Sequence, residues 1–159
     1  MVTIRRKSLF WHLLRLPIYL YHWHLGPLFG HRFLLLTHIG RRTGKRRQTV
    51  LEVVEYRKEV PEAVVLSGFG RDSDWLLNIQ ANPNEEVAIG AEHFPASHRV
   101  LSENEAVEVL KGYEYRNRFI APIVRRALSW LAGWPYHGTD NDRHRLAHQF
   151  PLLAFRPRT

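Results

Sequence analysis

The run FLLLTHIGRRTGKRRQTVLEVVEY constrains the fold of this chain more than any other part of its sequence. Two apolar segments, at 33–39 and 48–56, are separated by a short basic connection that contains Gly40 and Gly44. The first segment is continuously apolar, and the second alternates β-branched with acidic residues, so both are predicted to be strands. Because glycine permits a tight turn between them, the run predicts a β-hairpin.

The rest of the chain predicts more strands and several helices around this hairpin. Further strands are predicted over 63–67, 86–90, 93–101 and 150–155, and helices over 4–24, 75–82, 102–116 and 122–131. Ser73 or Asp74 is expected to cap the second helix, and Ser102 with Glu105 forms a capping-box pattern. The polar stretch 134–149 is predicted to be irregular. This order favours an α+β fold, mainly β with peripheral helices, in which about six mostly antiparallel strands form a small, partly open barrel.

The chain is predicted to be a single domain over its 159 residues, which is long enough to bury one hydrophobic core. We expect an N-terminal amphipathic helix over 1–24, and a barrel over 31–159 that carries a helical insertion at about 103–149. Basic residues, tryptophans and tyrosines flank the apolar stripe of the first helix. Two interpretations therefore stay open: this helix packs on its own domain, or it lies on an anionic membrane surface.

The charge balance predicts an anionic partner. The chain has 23 Lys and Arg against 15 Asp and Glu, a formal charge of +8. Such a charge suits nucleic acid, an anionic membrane or a phosphorylated ligand, but no nucleic-acid-binding motif is present and we expect no nucleic acid. The absence of cysteine excludes disulfides and fits a cytoplasmic protein. The histidines lack the spacing of a metal site, so no metal is expected.

The basic connection of the hairpin is the strongest candidate for binding that anion. Five cations lie within 41–47, and like charges so close together repel unless an anion offsets them. Backbone N–H groups of a glycine-containing turn and arginine guanidinium groups can together hold a phosphate. The alternative is a solvated loop that binds nothing. A second loop, SGFGRDSDW, precedes a predicted helix start and is a weaker candidate for binding an anion or a ring.

With both loops considered together, the chain resembles the deazaflavin-dependent nitroreductase family. The stretches that carry the resemblance are LLLTHIGRRTGKRRQT, SGFGRDSDWLLNIQANPNEEVAIG and PLLAFRP. The family has a split β-barrel like that of flavin reductases, and it binds coenzyme F420, which carries a phosphate and a polyglutamate tail. The resemblance implies an oxidoreductase that transfers a hydride from the reduced coenzyme to a quinone, enone or nitro acceptor. Two alternatives remain: an FMN-binding reductase of the same fold, and a non-catalytic F420 carrier at the membrane.

The resemblance also implies which residues bind the coenzyme. By position, the phosphate and tail would be held by Arg41, Arg42, Thr43, Gly44, Arg47, Gln48 and Thr49. The deazaflavin and its ribityl chain would lie along Ser67, Gly68, Phe69, Gly70, Trp75 and Asn78. Lys45 and Arg46 are expected to meet the tail or solvent.

No catalytic residue is assigned by the resemblance, although three hydroxyl groups are candidates for donating a hydrogen bond or proton to the acceptor: Ser67, Tyr113 and Tyr115. The segment 117–149 is the part least like the family, and its Trp130, Trp134 and Tyr136 would fill or rim the acceptor pocket as a lid. The oligomeric state stays open, with a dimer among the alternatives.

Overall fold

The structure is a computed structural model that describes residues 30–159, so the helix expected over 4–24 lies outside the described residues. The described part contains six strands: β1 (Phe33–Ile39), β2 (Arg46–Arg57), β3 (Glu62–Leu66), β4 (Glu86–Ile89), β5 (Glu92–Val100) and β6 (Leu152–Pro157). It also contains four α-helices: α1 (Asp74–Ala81), α2 (Glu103–Arg116), α3 (Ala121–Ala132) and α4 (Asp140–Gln149). Short 3-10 turns lie at Gly70–Asp72 and Arg118–Ile120.

The strands form a closed antiparallel barrel in the order β1-β2-β3-β6-β5-β4. The predicted α+β fold with a six-stranded barrel is therefore confirmed, and so is the hairpin of β1 and β2, in which Phe33 pairs with Glu52 and Ile39 with Arg46. The expectation of a partly open barrel is wrong, because β4 pairs with β1 along its whole length and leaves no free edge there.

Residues that alternate along the central strands pack into two separate hydrophobic clusters. On β3, Ala63 and Val65 belong to one cluster, whereas Val64 between them belongs to the other. On β6, Leu153 joins the first cluster and Leu152 the second. Successive side chains of a strand point to opposite faces, so the first cluster fills the barrel and the second lies between the barrel and the outer helices.

Helix α1 packs one face onto the cluster that fills the barrel, while its Asp74 and Gln80 are exposed. Its Trp75, Leu76 and Ile79 are buried in the same cluster as the inward-facing Leu34 and Leu36. Helices α2, α3 and α4 instead supply the outer cluster, which also receives Val54 and Val64 from the barrel wall. Helix α1 is thereby fixed against β1, next to the turn that joins β1 to β2.

The predicted helix caps are only partly observed. Ser102 precedes α2 and its hydroxyl accepts from the Glu105 backbone N at 3.3 Å, but the Glu105 carboxylate bonds to Arg99 and Arg57 instead of returning to Ser102. Ser73 precedes α1, yet its side chain makes no capping bond there, so that prediction is wrong. The Ser73 hydroxyl is used within the β3–α1 loop, where it donates to the Gly70 carbonyl.

The prediction that 134–149 is irregular is also wrong, because Asp140–Gln149 forms α4. A capping box starts this helix: the Thr139 hydroxyl accepts from the Asp142 backbone N, and the Asp142 carboxylate accepts from the Thr139 backbone N. Only Leu146 and Ala147 of the helix are buried, so the sequence shows almost no apolar periodicity.

Residues 30–159 contain neither a membrane-spanning helix nor a metal cluster. No helix in that range is both long enough and apolar enough to cross a bilayer. In the same range, no three His, Cys, Asp or Glu side chains lie together in a way that would hold a metal ion.

Candidate functional site

The basic turn between β1 and β2 is a defined hydrogen-bonded structure. The Gly40 backbone N donates to the Lys45 carbonyl at 2.8 Å, and the Gly44 backbone N donates to the Gly40 carbonyl at 2.8 Å. Gly44 has a φ of 64°, in the left-handed region that glycine adopts without steric cost. The turn therefore holds its charged side chains on a rigid scaffold.

Gly40 allows the Arg47 side chain to lie close to the turn. A Cβ atom at Gly40 would come within 2.9 Å of Thr43 Oγ1 and 3.0 Å of Arg47 Nε. Real Cβ atoms are almost never that close to another heavy atom, so a larger residue would displace Arg47. The glycine is needed for close approach rather than for an unusual backbone angle.

The five cations of the turn differ in their partners. Arg41 pairs with Asp74 at 3.1 Å, and Arg46 pairs with Glu86 at 3.1 Å while its side chain stays 65% exposed. Arg42, Lys45 and Arg47 are exposed, and none of them has a carboxylate partner within residues 30–159. The uncompensated charge of the turn thus lies on these three side chains.

Two further residues of the predicted site follow the turn on β2. Gln48 and Thr49 are half-buried, opposite Thr37 and Leu36 of β1. The Gln48 side-chain amide donates to Thr37 Oγ1 at 3.3 Å. Both residues therefore lie at the start of the strand, directly after the unpaired cations.

Asn78 of α1 ties the turn to the barrel. Its Oδ1 accepts from the Arg41 backbone N at 3.0 Å and from Arg41 Nη1 at 2.9 Å. With Oδ1 so occupied, the Nδ2 group faces His38 Nδ1 at 3.0 Å and must donate to it. Asn78 is only 3% exposed, so it acts as an internal brace and offers little surface to a ligand.

His38 was not identified from the sequence, although it lies beneath the turn. The pKa of His38 is lowered to about 4, mainly by burial and to a lesser extent by the nearby Arg47 charge. The Asp74 carboxylate opposes this shift. The ring is therefore neutral near pH 7, with its proton on Nε2, because Nδ1 accepts from Asn78. The sequence does contain a pattern that identifies this position. His38 continues the alternation of Leu34 and Leu36 along the strand, which predicts that its side chain faces the barrel interior.

The β3–α1 loop is held by its own serines. The Ser67 and Ser73 hydroxyls lie 2.7 Å apart, and each is within hydrogen-bonding distance of the Gly70 carbonyl, at 2.7 Å and 3.0 Å, so their two protons are shared among the three contacts. Ser67 is completely buried, so its hydroxyl is not presented to solvent as a proton donor. The serine is instead a structural element of the loop.

The same loop presents one large apolar side chain, Phe69, which is 71% exposed. Gly68 beside it faces Leu131 of α3, since a Cβ there would lie 3.5 Å from a Leu131 methyl group. Trp75, predicted to lie along the ring, is buried in the barrel cluster, 6.3 Å from Phe155 between ring centres. Of the aromatic residues predicted for this part of the site, Phe69 is therefore the accessible one.

The basic turn and the β3–α1 loop meet at the start of α1. Arg41 reaches Asp74, the first residue of α1, and the preceding Ser73 is bonded to Ser67 of the loop. The structure thus brings together two segments that are more than twenty residues apart in the sequence.

The two tyrosines predicted as proton donors lie away from this meeting point. The Tyr113 hydroxyl donates to Glu52 Oε1 at 2.9 Å, and Glu52 pairs with Phe33, at the end of the hairpin opposite the turn. Burial and the Glu52 charge raise the pKa of Tyr113, so it keeps its proton at neutral pH. Tyr115 is exposed, and its ring stacks with the Arg118 guanidinium at 4.5 Å.

Of the three aromatic residues expected to form a lid, Trp134 and Tyr136 are neighbours, with ring centres 6.0 Å apart. Tyr136 is buried in the outer cluster, and Trp130 is exposed on α3. Trp134 is half-buried, and its indole Nε1 donates to Gln149 Oε1 at 2.8 Å. Trp134 and Tyr136 therefore pack together at the outer cluster, whereas Trp130 is exposed to solvent.

Solved structures with the same fold include proteins of different described functions. An F420-H2 dependent reductase (FDR-A) superposes with a TM-score of 0.51 at 19% identity, covering 80% of this chain and 96% of that chain. A structure described as a domain-swapped dimer has a TM-score of 0.50 at 16% identity, covering 88% and 99%. HutZ, the heme storage protein from Vibrio cholerae, has a TM-score of 0.50 at 12% identity, covering 87% and 89%. At these identities the likeness shows the fold alone.

Sequence comparison is more specific than the structural likeness. A search of curated proteins gave no match. The family described as F420H(2)-dependent quinone reductase matches residues 24–117, which is more than half of the chain and includes the basic turn, the β3–α1 loop and α1. The expected deazaflavin dependence is thereby confirmed. The chain belongs to the F420H(2)-dependent quinone reductase family and is an F420-dependent oxidoreductase.

Proposed function

We propose that this protein transfers a hydride from reduced F420 to a quinone, and that the basic turn holds the anionic part of the coenzyme. The observation that carries the site proposal is the set of unpaired cations: Arg42, Lys45 and Arg47 are exposed on a rigid hairpin with no carboxylate partner within residues 30–159. A phosphate and a glutamate tail supply the anions that this turn lacks.

The residues around the turn have distinct roles in this proposal. Arg42 and Arg47 donate charge-assisted hydrogen bonds to the phosphate, and Lys45 meets the tail as a mobile point charge. Thr43 and Gly44 provide the turn backbone, and Gln48 and Thr49 line the strand that follows. Arg41 is a positioning residue, because its guanidinium is already bonded to Asp74 and Asn78.

The loop of Ser67, Gly68, Phe69 and Gly70 forms the side of the site that faces the ring system. Exposed Phe69 offers an apolar face for stacking, and the buried Ser67–Ser73 pair keeps the loop in position. When bound, the reduced deazaflavin supplies the hydride. The chain contributes binding, orientation and exclusion of water around the acceptor.

A quinone is preferred here to an enone or nitro acceptor because of the family description. We also propose a cytoplasmic, single-domain protein over 1–159 that meets an anionic membrane through residues 4–24, where a quinone would be dissolved. A dimer is a further proposal, suggested by the structural neighbour described as a domain-swapped dimer.

Fluorescence titration of the protein with F420 tests the site. Arg42→Ala and Arg47→Ala should each weaken binding by roughly 1–3 kcal/mol, the range for a lost charge-assisted hydrogen bond. Arg46→Ala is the matched control, since Arg46 is on the same hairpin but pairs with Glu86. Longer glutamate tails should bind more tightly and added salt should weaken binding. Equal affinities of all four proteins would overturn this assignment, and tighter binding of FMN than of F420 would favour the flavin alternative.

A turnover experiment tests the reaction separately. Reduced F420 and protein are mixed with menadione, a nitroaromatic or an enone, and reoxidation of the coenzyme is followed against a protein-free mixture. Acceleration with menadione above the other acceptors is expected. Tight binding without acceleration by any acceptor would indicate a carrier rather than a reductase.

A further inference from the structure

Helix α3 has apolar residues on the face that it turns away from the protein. Val124, Leu128 and Ala132, four residues apart, are buried against the outer cluster. Ile123 and Trp130, seven residues apart, share the opposite side of the helix and are 67% and 71% exposed. A helix on the surface of a globular protein normally carries polar residues there. The outward face of α3 therefore has features that packing within the described domain does not explain.

The segment directly before α3 also exposes large apolar side chains. Tyr115 at the end of α2, then Phe119 and Ile120 in the following 3-10 turn, are all exposed. The Arg118 guanidinium lies 4.5 Å from the centre of the Tyr115 ring and 4.7 Å from that of Phe119. This cation stacks with both rings and stabilises them at the surface.

The charge of this region is entirely positive. Between residues 115 and 139 the sequence has four arginines and no Asp or Glu. Arg116 is used internally, since it bonds to the Val54 carbonyl. Arg125 and Arg126 of α3 are exposed and have no carboxylate partner within residues 30–159. Exposed apolar side chains and unpaired arginines therefore occur together on one short segment.

We propose that this α3 face, defined by Tyr115, Phe119, Ile120, Ile123, Arg126 and Trp130, docks onto an anionic phospholipid surface. Aromatic and aliphatic side chains beside arginines are the composition of helices that lie in the membrane interface. The arginines complement the negative surface potential of such a membrane, and the apolar side chains enter the boundary with the acyl chains.

The positive charge of the α3 face also argues against other binding partners for it. A second copy of the protein bound through the same face would bring two sets of unpaired arginines together, and like charges oppose that contact. A nucleic acid would use the arginines but would leave Ile123 and Phe119 against a charged backbone. An anionic lipid surface satisfies both the charged and the apolar side chains.

A cavity on the flank of α3 offers a place for a lipid headgroup. It has a volume of about 250 Å³, lies between α2, α3 and α4, and its basic lining residues are Lys111, Arg118, Arg125 and Arg143. The acidic residue of its wall, Glu114, is already paired with Arg143. The cavity therefore presents net positive charge, which suits the phosphate of an anionic headgroup.

Vesicle co-sedimentation of the full chain tests this docking surface. We expect wild type to bind phosphatidylglycerol–phosphatidylcholine vesicles and to bind pure phosphatidylcholine vesicles at least tenfold more weakly. The double variant Ile123→Ser/Trp130→Ser should bind anionic vesicles at least tenfold more weakly than wild type. Val60→Ser/Val100→Ser removes two other exposed apolar side chains and is the matched control, with unchanged binding expected. Retained F420 affinity shows that each variant is folded.

A second measurement reports the position of the helix directly. Brominated phosphatidylcholine, mixed with phosphatidylglycerol, quenches tryptophans that enter the acyl boundary. The quenched fraction of the tryptophan fluorescence should be smaller for Trp130→Phe than for wild type. In the co-sedimentation experiment, Arg125→Gln/Arg126→Gln should remove most of the salt dependence of vesicle binding.

Three outcomes would overturn the proposal. The first is wild-type vesicle binding by the Ile123/Trp130 variant. The second is membrane binding that is lost only when residues 1–24 are deleted. The third is concentration-dependent dimerisation that the same variant abolishes, without vesicle binding by wild type.

Discussion

Arg41 and Asn78 are joined by two hydrogen bonds to a single oxygen: the Arg41 backbone N and Nη1 both donate to Asn78 Oδ1, at 3.0 Å and 2.9 Å. The amide at the other end of Asn78 faces His38 at 3.0 Å. One buried side chain of α1 thus connects the basic turn to the strand beneath it. The proposed coenzyme site therefore depends on groups that do not themselves meet the coenzyme.

Asn78→Ala should reduce both stability and coenzyme affinity. The change leaves the Arg41 backbone N and the His38 ring without their partner, at a cost of about 1–3 kcal/mol in the free energy of unfolding. Gln80→Ala is the matched control, because Gln80 is an exposed amide on the same helix. Urea unfolding followed by circular dichroism measures the first effect, and F420 titration the second. If Asn78→Ala and Gln80→Ala have the same unfolding midpoint, the hydrogen bonds of Asn78 to Arg41 and His38 do not contribute to stability.

His38 should make the protein less stable as the pH falls. The pKa of His38 is about 4 in the folded protein, against 6.5 for an unperturbed histidine, so the unfolded chain binds more protons between these values. The contribution is present in full above pH 6.5 and is lost progressively toward pH 4, to a total of about 3 kcal/mol.

His38→Gln separates this effect from the titration of carboxylates. Glutamine can accept from Asn78 but does not titrate, so its unfolding free energy should vary less between pH 7 and pH 5 than that of wild type. Carboxylates with lowered pKa values, such as Glu105 at about 2 because of Arg99, act mainly below this interval. Parallel curves for the two proteins would show that His38 does not cause the loss.

Glu62→Gln should destabilise the barrel more than Glu86→Gln. Glu62 is 5% exposed and bonds to Arg57 at 2.8 Å and to Arg99 at 3.0 Å. Because both arginines are partly exposed, we expect a loss of about 1–3 kcal/mol. Glu86 pairs with the exposed Arg46, and such surface pairs contribute about 0–1 kcal/mol. Urea midpoints measured side by side test this order, and a larger loss for Glu86→Gln would contradict it.

Gly40→Ala should weaken F420 binding through Arg47, with little loss of stability. A methyl group there would come within 3.0 Å of Arg47 Nε and 2.9 Å of Thr43 Oγ1, and both exposed side chains can move away. In the Arg47→Ala background the same change should have a smaller effect on affinity, because only the contact with Thr43 Oγ1 remains. Additive losses in this double-mutant cycle would show that Gly40 acts by another route.

The local features of this protein follow from its amino-acid sequence alone. Apolar alternation and glycines specify the hairpin of β1 and β2, since these patterns depend on residues close together in the chain. The strong turn and helix signals placed α1, α2 and α3 in the same way. The five cations of 41–47 were equally visible, and so was the need for an anionic partner.

Which of those cations are free depends on contacts between distant segments of the folded chain. Asp74 and Asn78 engage Arg41 from more than thirty residues away, and Glu86 engages Arg46 from forty. Burial of Ser67 and His38 is likewise a consequence of barrel closure. Such pairings depend on which distant segments pack together, and neighbouring residues carry no information about that. The sequence therefore located a basic turn, and the fold determined that Arg42, Lys45 and Arg47 are the side chains that it presents.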